Sequence, residues 1–293
     1  MINMRYKPML AYPSKPFSNE EWIFEAKWDG ARAISYVYNN AVRIDSRSGV
    51  DISIKFPELA KALLEVTESI VLDGEIVLIE KGKQDFQGLM RRIHNEDPLT
   101  LQLLAEKHPA TYVVFDVLEI DGEPVIDLPL EERKAILDSE VEEGSGIIIS
   151  KYIYEEGEKY FQAARSLGLE GIMAKKLSSR YEPGKRSKNW LKIKDVKTLD
   201  VVVLGFKEGK GERKETFGSM EVGLYKDGKL VKLGYVGTGF DKDELELLSK
   251  LSPPFVIEVE YQELTKDGKL RMPRFKRLRL DKSPEECRWA KWM

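Results

Sequence analysis

The sequence is poor in the residues that build disulfides and transition-metal sites: its 293 residues include one cysteine, Cys287, and two histidines. A single thiol excludes an internal disulfide and a cysteine zinc site, and two histidines exclude a histidine-rich metal site. No apolar run approaches the roughly 18 residues that a membrane helix needs, and the first residues lack the apolar core of a signal peptide. We therefore expect a cytoplasmic protein without membrane contact, in which oxygen atoms bind any metal.

A large excess of charge of one sign is also absent, since 47 basic residues face 50 acidic ones and the net charge is -3. Basic residues are nevertheless concentrated in two tracts: residues 175–197 hold nine basic and two acidic side chains, and residues 266–291 hold ten and four. Aromatic residues such as Trp190 and Phe275 are interleaved with these charges. Such tracts are either solvated surfaces or binding sites for a polyanion, and the aromatic residues favour the polyanion.

Hydrophobic periodicity divides the chain into two parts. Residues 1–196 mix strand patterns with helical patterns such as FPELAKALLEV, and turns separate neighbouring strands, as in EAKWDGARAISYVY. This pattern predicts an α+β fold with antiparallel sheets and helices outside them. Residues 197–293 contain roughly five strands, two KDGK turns and one short helix, which is the inventory of an OB-fold β-barrel. We expect the hinge between the two domains at DVKT, residues 195–198.

Lys27 is the first candidate for a chemical role. In the strand pattern EAKWDG, period-two alternation places Glu25, Lys27 and Asp29 on one face. A lysine between two carboxylates is in most proteins a salt-bridged surface residue. The alternative is a nucleophilic amine, which needs burial or nearby cations to lose its proton. The downstream segment KIK supplies such cations.

Five further motifs follow Lys27 in order along the chain: SRSG at 46–49, LDGEIV at 72–77, VVFDV at 113–117, EGIMAKK at 170–176 and WLKIK at 190–194. Together with EAKWDG they resemble the nucleotidyltransferase motifs of the ATP-dependent DNA ligase family, which also covers RNA ligases and mRNA capping enzymes. The stretches YEPGKRSKNWLKIK and LRMPRFKRLRLDK make the sequence most similar to the compact ligase D-type ligases of prokaryotic end joining. The resemblance covers nearly the whole chain. It implies a nucleotidyltransferase (adenylation) domain over residues 1–196, followed by an OB-fold domain over residues 197–293.

The resemblance also assigns the nucleotide site. Lys27 would attack the α-phosphate of ATP, release pyrophosphate and hold AMP through a P–N bond. Arg32 and Arg47 match positions that contact the sugar and phosphates of the nucleotide or the 5′-phosphate of DNA; the alternative for each is a surface arginine. Phe115 would stack on adenine, and Glu25 matches a position whose neighbourhood contacts the adenine edge, often through the backbone.

By the same resemblance, two carboxylates and a basic motif lie at the phosphates. Glu75 and Glu170 would bind Mg²⁺ or Mn²⁺, and Glu75 could instead bind the ribose hydroxyl; magnesium takes few protein carboxylates and keeps water and phosphate ligands. Arg186, Lys192 and Lys194 would bind the α-phosphate and offset charge in the transition state of phosphoryl transfer.

The C-terminal motif implies a gate in the OB-fold domain. Arg271, Arg279 and Lys282 would orient the pyrophosphate leaving group when the domains close, and the domain would then swing away to admit DNA. Arg277 stands where the family pattern has a small residue. The alternative is a basic strand that binds DNA phosphates without specificity.

The sequence therefore predicts an ATP-dependent DNA ligase that seals 5′-phosphate/3′-hydroxyl nicks or breaks in DNA repair, through lysyl-AMP and DNA-adenylate. Its expected partners are nicked double-stranded DNA and end-joining or repair proteins, and we expect a monomer. Two alternatives remain open. One is an ATP-dependent RNA ligase, since the strand type is distinguished by the 2′-hydroxyl and the helix form. The other is a catalytically silent nucleic-acid-binding module.

Overall fold

The computed structural model describes residues 6–67, 69–80, 82–194, 197–265 and 267–289. The chain forms two compact units, Met1–Lys194 and Asp195–Met293. Residues 195 and 196 of the predicted hinge lie outside the described residues, as does residue 266 of the second KDGK turn. No described helix is long and apolar enough to cross a membrane.

The first unit mixes strands and helices. Its strands are β1 Leu10–Pro13, β2 Asn19–Ala26, β3 Ala31–Tyr38, β4 Ala41–Ser46, β5 Ile70–Val77, β6 Ile79–Glu80, β7 Lys83–Gln84, β8 Thr111–Ile120, β9 Glu123–Pro124, β10 Ile147–Ile149, β11 Tyr152–Glu155, β12 Gly171–Lys176 and β13 Arg186–Lys194. Its α-helices are α1 Pro57–Val66, α2 Phe86–Ile93, α3 Pro98–Lys107, α4 Leu130–Glu140 and α5 Gly157–Ser166. Helices α2 and α3 were missed by the periodicity, because Gly88 interrupts the first and the second exposes Leu99 and Leu103.

These strands form two large sheets, and the short strands β6 and β7 pair with each other. The smaller of the large sheets has the order β1-β13-β12-β2-β11, and the larger one has the order β10-β8-β5-β3-β4, with β9 paired to β8. The pairs β1–β13 and β8–β10 are parallel, and the other pairs are antiparallel. The prediction of an α+β unit built on antiparallel sheets is confirmed.

The two faces of the larger sheet bury different sets of side chains. On one face, Val114 of β8 belongs to a core cluster with Leu59 of α1 and Leu137 of α4. On the other face, the next residue, Phe115, belongs to a cluster with Trp190 of β13, which lies in the smaller sheet. The alternation along β8 therefore directs one set of side chains into the helical layer and the other set toward the smaller sheet.

The Asp-Gly turn after Lys27 does not join two paired strands. Strands β2 and β3 form on either side of it, as predicted, but β2 lies in the smaller sheet and β3 in the larger one. Gly30 serves a close approach between segments, since a Cβ there would lie 2.2 Å from the carbonyl oxygen of Ile76. The chain therefore passes from one sheet to the other immediately after Lys27.

The second unit is an antiparallel sheet with one α-helix among its described residues. Its elements are β14 Lys197–Glu208, β15 Phe217–Lys226, β16 Lys229–Val236, α6 Lys242–Ser249, β17 Phe255–Tyr261 and β18 Arg274–Leu278. The sheet order is β16-β15-β14-β17-β18. Asp227 and Gly228, with φ of 50° and 76°, close the predicted KDGK hairpin between β15 and β16. In the described part of this unit the edge strands β16 and β18 do not pair with each other, so the sheet is not a closed barrel.

Candidate active site

Three neighbouring strands of the smaller sheet bring the lysine motifs into register. The amide of Lys27, just after β2, donates a hydrogen bond to the carbonyl oxygen of Gly171 at 3.0 Å. Gly171 in turn pairs with Lys194 across β12 and β13. Lys192 lies two residues before Lys194 and shares its face of the strand. Segments that are far apart in sequence therefore place their lysines in one row across the sheet.

Glu170 joins two lysines of this row. Its carboxylate accepts a hydrogen bond from Lys27 Nζ and forms an ion pair with Lys194 Nζ. Burial alone would raise the pKa of Glu170, but the positive charges of Lys27 and Lys194 outweigh this effect, and the pKa is lowered. Glu170 is therefore ionised and holds both ammonium groups at the same end of the sheet.

Lys192 lies within a group of cations. Burial lowers the pKa of its ammonium group, and the charges of Lys194, Arg186, Lys27 and Arg47 lower it further. The structure thus brings the three residues of the predicted basic motif together with Lys27 and with the arginine of the SRSG turn. Cations clustered in this way favour an anion that carries several charges.

Arg47 and Arg186 are the exposed members of this group. Arg47 lies in the turn after β4, two residues before Gly49, whose φ of 82° is in the left-handed region. Arg186 donates from Nη1 to the carbonyl oxygen of Ala11, and its Cζ lies 5.7 Å from the ring centroid of Tyr12. Both guanidinium groups remain accessible to a ligand.

Arg32, on β3 of the larger sheet, is held in a buried ion pair. Its Nε and Nη2 donate to the two oxygens of Asp73 at 2.5 and 2.6 Å, and the hydroxyl of Tyr181 donates to the same carboxylate at 2.6 Å. The guanidinium carbon lies 4.4 Å from the ring centroid of Phe115 and 5.6 Å from that of Trp190. With 17% of its side chain exposed, Arg32 is not the surface arginine of the alternative interpretation.

Glu75 lies opposite Arg32 in the pairing of β5 with β3, and no described residue forms a hydrogen bond or ion pair with its carboxylate. Burial raises the pKa of Glu75 to about 7, although Arg32 and Lys27 act to lower it; Asp73 and Glu170 add to the rise. Arg32 and Asp73 belong to the larger sheet, whereas Lys27 and Glu170 adjoin strands of the smaller one. Glu75 therefore lies where residues of the two sheets meet. A half-buried carboxylate without a protein partner among the described residues is suited to bind a cation or a hydroxyl group.

Phe115 and Glu25 are enclosed by lysines that the sequence reasoning missed. Lys175 Nζ lies 4.2 Å from the ring centroid of Phe115 and 4.3 Å from that of Trp190, and it donates to Glu25 at 2.8 Å. Lys134 Nζ lies 2.6 Å from the other carboxylate oxygen of Glu25, outside hydrogen-bond geometry. No local signal marks these lysines as buried, because a lysine in a charged segment such as MAKK or EERK is usually exposed.

Comparison with protein-family models gives two matches. Residues 8–194 match the ATP dependent DNA ligase domain, and residues 248–282 match the ATP dependent DNA ligase C terminal region. The first match alone covers more than half of the chain. The chain belongs to the ATP-dependent DNA ligase family. The resemblance inferred from the ordered motifs is therefore confirmed.

Curated relatives of this chain include longer proteins. It is 37% identical to a DNA ligase of Thermococcus onnurineus over 91% of its length, and it spans 53% of that protein. It is 30% identical to the multifunctional non-homologous end joining protein LigD of Mycolicibacterium smegmatis over 97% of its length, and it spans 40% of that protein. A solved structure of mycobacterial DNA ligase D complexed with ATP and MES aligns with a TM-score of 0.58 at 28% identity. That alignment covers 96% of this chain and 97% of the other.

In the second unit, the C-terminal ligase motif forms ion pairs with carboxylates of the same unit. Arg279 Nη1 donates to both oxygens of Asp200 on β14, at 3.0 and 3.1 Å, and Lys282 Nζ donates to one of them at 2.8 Å. Arg279 also donates from Nε and Nη2 to the two carboxylate oxygens of Asp281, at 2.8 and 2.9 Å. Two of the predicted gate residues are therefore held by one carboxylate near the start of the unit.

Two other basic residues of this motif are also paired. Arg271 donates to Glu263 at 2.8 Å, and Arg277 donates to Glu258 at 2.6 Å. Arg277 replaces the small residue of the family pattern, but 62% of its side chain is exposed. The larger side chain therefore extends into solvent, and the pairing of β17 with β18 is retained at this position.

The candidate site offers oxygen donors for a divalent cation, although not as a preformed cage. Within the described ranges, no group of three or more His, Cys, Asp or Glu side chains could hold a metal ion. Glu75 has no protein partner among these residues, whereas Glu170 is engaged by two lysines. One or two carboxylates completed by phosphate and water oxygens suit Mg²⁺, so these residues fit a metal that arrives with a nucleotide.

Proposed function

We propose that the chain is an ATP-dependent DNA ligase that seals 5′-phosphate/3′-hydroxyl nicks through lysyl-AMP and DNA-adenylate. The observation that carries the proposal is the row of Lys27, Glu170 and Lys194, which lies beside the cations around Lys192 and the unpaired Glu75. Because the chain spans about half the length of its Thermococcus relative, the activity, substrates and partners of the whole protein belong to this proposal.

Lys27 would supply the nucleophile. The Lys27 ammonium group would first give up a proton to water; the free amine would then attack the α-phosphorus of ATP, so that a P–N bond forms and the bond to the bridging oxygen breaks as pyrophosphate leaves with the electron pair. Arg186, Lys192 and Lys194 would bind the α-phosphate, where their charges offset the negative charge of the transition state. The ion pair with Glu170 places the Lys27 amino group at the end of the sheet, which supports this role.

Two further transfers would complete sealing. The 5′-phosphate of the nick attacks the α-phosphorus of lysyl-AMP and releases the lysine. The 3′-hydroxyl then attacks the DNA-adenylate, and AMP leaves as the phosphodiester bond forms. Arg32 and Arg47 would contact the sugar and phosphates of the nucleotide or the 5′-phosphate, since guanidinium groups bind phosphate oxygens in pairs.

The remaining site residues would bind the base and the metal. Phe115 would stack on adenine, and the backbone around Glu25 would contact the adenine edge. Glu75 and Glu170 would hold Mg²⁺ or Mn²⁺, which would neutralise phosphate charge when bound, and Glu75 could instead accept a hydrogen bond from a ribose hydroxyl group. The raised pKa of Glu75 supports a ligand here, because a cation or hydroxyl group would supply the missing partner.

The second unit would act as an OB-fold domain over residues 197–293, joined to the adenylation domain of residues 1–196 by a hinge at 195–198. Its five-stranded antiparallel sheet and the C-terminal family match support this assignment. Closure would bring Arg271, Arg279 and Lys282 to the pyrophosphate, so that Arg279 and Lys282 exchange Asp200 for phosphate. Opening would admit nicked double-stranded DNA, and the monomer would act with end-joining or repair proteins.

The first experiment combines the protein with Mg²⁺ and ATP labelled at the α-phosphate, followed by denaturing electrophoresis. The wild type should carry the label, pyrophosphate should remove it, and Lys27→Ala should remain unlabelled because it lacks the nucleophile. Lys61→Ala is the matched control, since this lysine of α1 has 80% of its side chain exposed and should leave labelling unchanged.

The wild type decides between the alternatives. If no label appears after pyrophosphate has removed any AMP already bound, the ligase proposal is contradicted and the silent nucleic-acid-binding module is favoured. With labelling established, sealing of an all-DNA nick is compared with sealing of nicks that contain RNA strands. Preferential sealing of RNA would contradict the DNA part of the proposal.

A further inference from the structure

Helix α4 connects the two sheets of the first unit through two consecutive buried cations. Arg133 donates from Nε and Nη2 to the two carboxylate oxygens of Asp116 on β8, at 2.7 and 2.9 Å. Lys134 Nζ lies 2.6 Å from a carboxylate oxygen of Glu25 on β2. Successive helical residues point about 100° apart, so neighbours in sequence can reach different elements. Because β8 belongs to the larger sheet and β2 to the smaller one, a single turn of α4 holds both sheets.

Glu25 is bound by two buried lysines, Lys134 and Lys175, and the three side chains are each 2% exposed. We name these three residues the Glu25 triad. Burial alone would raise the pKa of Glu25, but the two ammonium groups outweigh it, and the pKa is lowered. The carboxylate at the centre of the triad is therefore ionised.

Stability alone does not account for the triad. A buried ion pair often stabilises a protein no more than apolar residues of similar volume, because its charges lose their hydration. The triad also carries one positive charge in excess, and the nearby Asp116 is already neutralised by Arg133. Burial accordingly lowers the pKa of Lys175 to about 8, although Glu25 opposes this shift. Burying these charges costs free energy without an evident gain in stability. The fixed positions of the three side chains therefore indicate a role other than stability.

The triad lies against the residues proposed for the nucleotide. Glu25 precedes Lys27 by two residues, and Met173 pairs with Glu25 across β12 and β2. Lys175 Nζ lies 4.2 Å from the ring centroid of Phe115, the proposed stacking platform. A change in the position of Glu25 or Lys175 would therefore change the surface on which a purine base would rest.

We propose that Lys134 is a positioning residue for the base-binding part of the nucleotide site. Its ammonium group fixes the position of Glu25, and Glu25 in turn fixes the position of Lys175. These contacts hold the pocket for a purine base at Phe115. This inference rests on the proposed ligase function and adds a residue of α4 that lies outside every motif of the family resemblance. Loss of Lys134 weakens binding of ATP more than it slows formation of the P–N bond, because Lys27 and Glu170 retain their own contacts.

The test measures the rate of AMP-adduct formation by the full chain as a function of ATP concentration. Lys134→Met should raise the half-saturating ATP concentration about tenfold and change the maximal rate less than about threefold. Lys134→Arg keeps the charge and should stay within about threefold of the wild type in half-saturation. Lys134→Gln should have the same effect as Lys134→Met. It replaces the methionine variant in the test if circular dichroism shows that Lys134→Met does not fold. Lys61→Met, at an exposed lysine, is the matched control.

A double-mutant cycle separates positioning through Glu25 from a general loss of stability. Glu25→Gln alone should raise the half-saturating ATP concentration, and adding Lys134→Met should cause little further rise or a partial recovery. Additive effects, or a lower maximal rate at unchanged half-saturation, would overturn the inference. If the wild type forms no adduct, the proposed function fails and this inference fails with it. If the wild type is active and Lys134→Met behaves like it, the inference alone fails.

Discussion

Glu75 lies on β5, where its neighbours Ile76 and Val77 are buried and apolar, and within the described residues its carboxylate has no hydrogen-bond or ion-pair partner. Burial raises its pKa to about 7 from the ordinary 4.5, while Arg32 and Lys27 limit the rise. Between these two pH values the folded chain retains a proton that the unfolded chain has lost. The contribution of Glu75 to the free energy of unfolding therefore falls as the pH rises from about 4.5 to about 7.

Replacing this carboxylate should stabilise the protein in neutral and alkaline solution. We expect Glu75→Gln to raise the free energy of unfolding by about 1–3 kcal/mol at pH 8, because the variant buries no charge, and to have a much smaller effect at pH 5. Chemical denaturation at both pH values measures the difference. Glu65→Gln on α1, an exposed carboxylate, is the control. An equal gain at both pH values would show that the effect does not come from the ionisation of Glu75.

Among the elements, β12 holds the lysine row together, and its first residue requires glycine. Gly171 has φ of 151°, and a Cβ at this position would lie 2.1 Å from the carbonyl oxygen of Ile193. The same residue bonds to Lys27 and pairs with Lys194, so any shift of its backbone separates the two lysines. The geometry of the site therefore depends on a position without a side chain.

A methyl group at this position should disturb both stability and function. We expect Gly171→Ala to lower the free energy of unfolding by about 2 kcal/mol or more and to reduce the rate of AMP-adduct formation. Thermal denaturation and the labelling assay measure the two effects. Gly144→Ala is the matched control, because a Cβ at Gly144 meets no atom within 4 Å. A Gly171→Ala variant that adenylates at the wild-type rate would contradict the proposed role of the lysine row.

Strand β14 provides a second test at the scale of an element, since its Asp200 holds Arg279 and Lys282. Asp200→Asn keeps the shape of the side chain and removes its charge. If these cations act on pyrophosphate, their release should speed AMP-adduct formation at subsaturating ATP, with a small loss of thermal stability. Single-turnover labelling measures the rate, and Glu246→Gln on the exposed face of α6 is the control. A slower rate in Asp200→Asn would show that the pairing supports the reaction instead of opposing it.

In the whole molecule, a net charge of -3 hides the concentration of basic residues in tracts 175–197 and 266–291. Binding of DNA phosphates releases counterions, and its affinity falls steeply with salt, whereas ATP presents far fewer charges. We expect an increase from about 50 to about 200 mM salt to depress nick sealing much more than adenylation. Parallel measurement of both rates tests this expectation. Equal sensitivity of the two steps would exclude DNA binding as the salt-dependent step.

The sequence determined the family through the resemblance of its ordered motifs, and its local features predicted helical segments such as α1 and most of the strands. The KDGK turn at 226–229 predicts a hairpin, and Asp227 and Gly228 adopt the positive φ that such a turn requires. Ordered motifs likewise identified the residues that meet at the site, including Lys27, Glu170 and Lys194. The hairpin and the strand patterns can be predicted because turn chemistry and alternation depend only on neighbours in the chain, whereas the site residues were assigned by the resemblance to the family and their roles stay predictions.

Only the tertiary structure decided which elements lie together. Lys27 and Glu170 are 143 residues apart, and the register of β12 between β2 and β13 brings them into contact. The segment LEERKAIL has apolar residues at helical spacing, which says nothing of its charged residues, and Arg133 and Lys134 are buried because carboxylates from two sheets meet them. Local sequence specifies which side chains share a face, whereas burial and charge pairing depend on the elements that pack against that face.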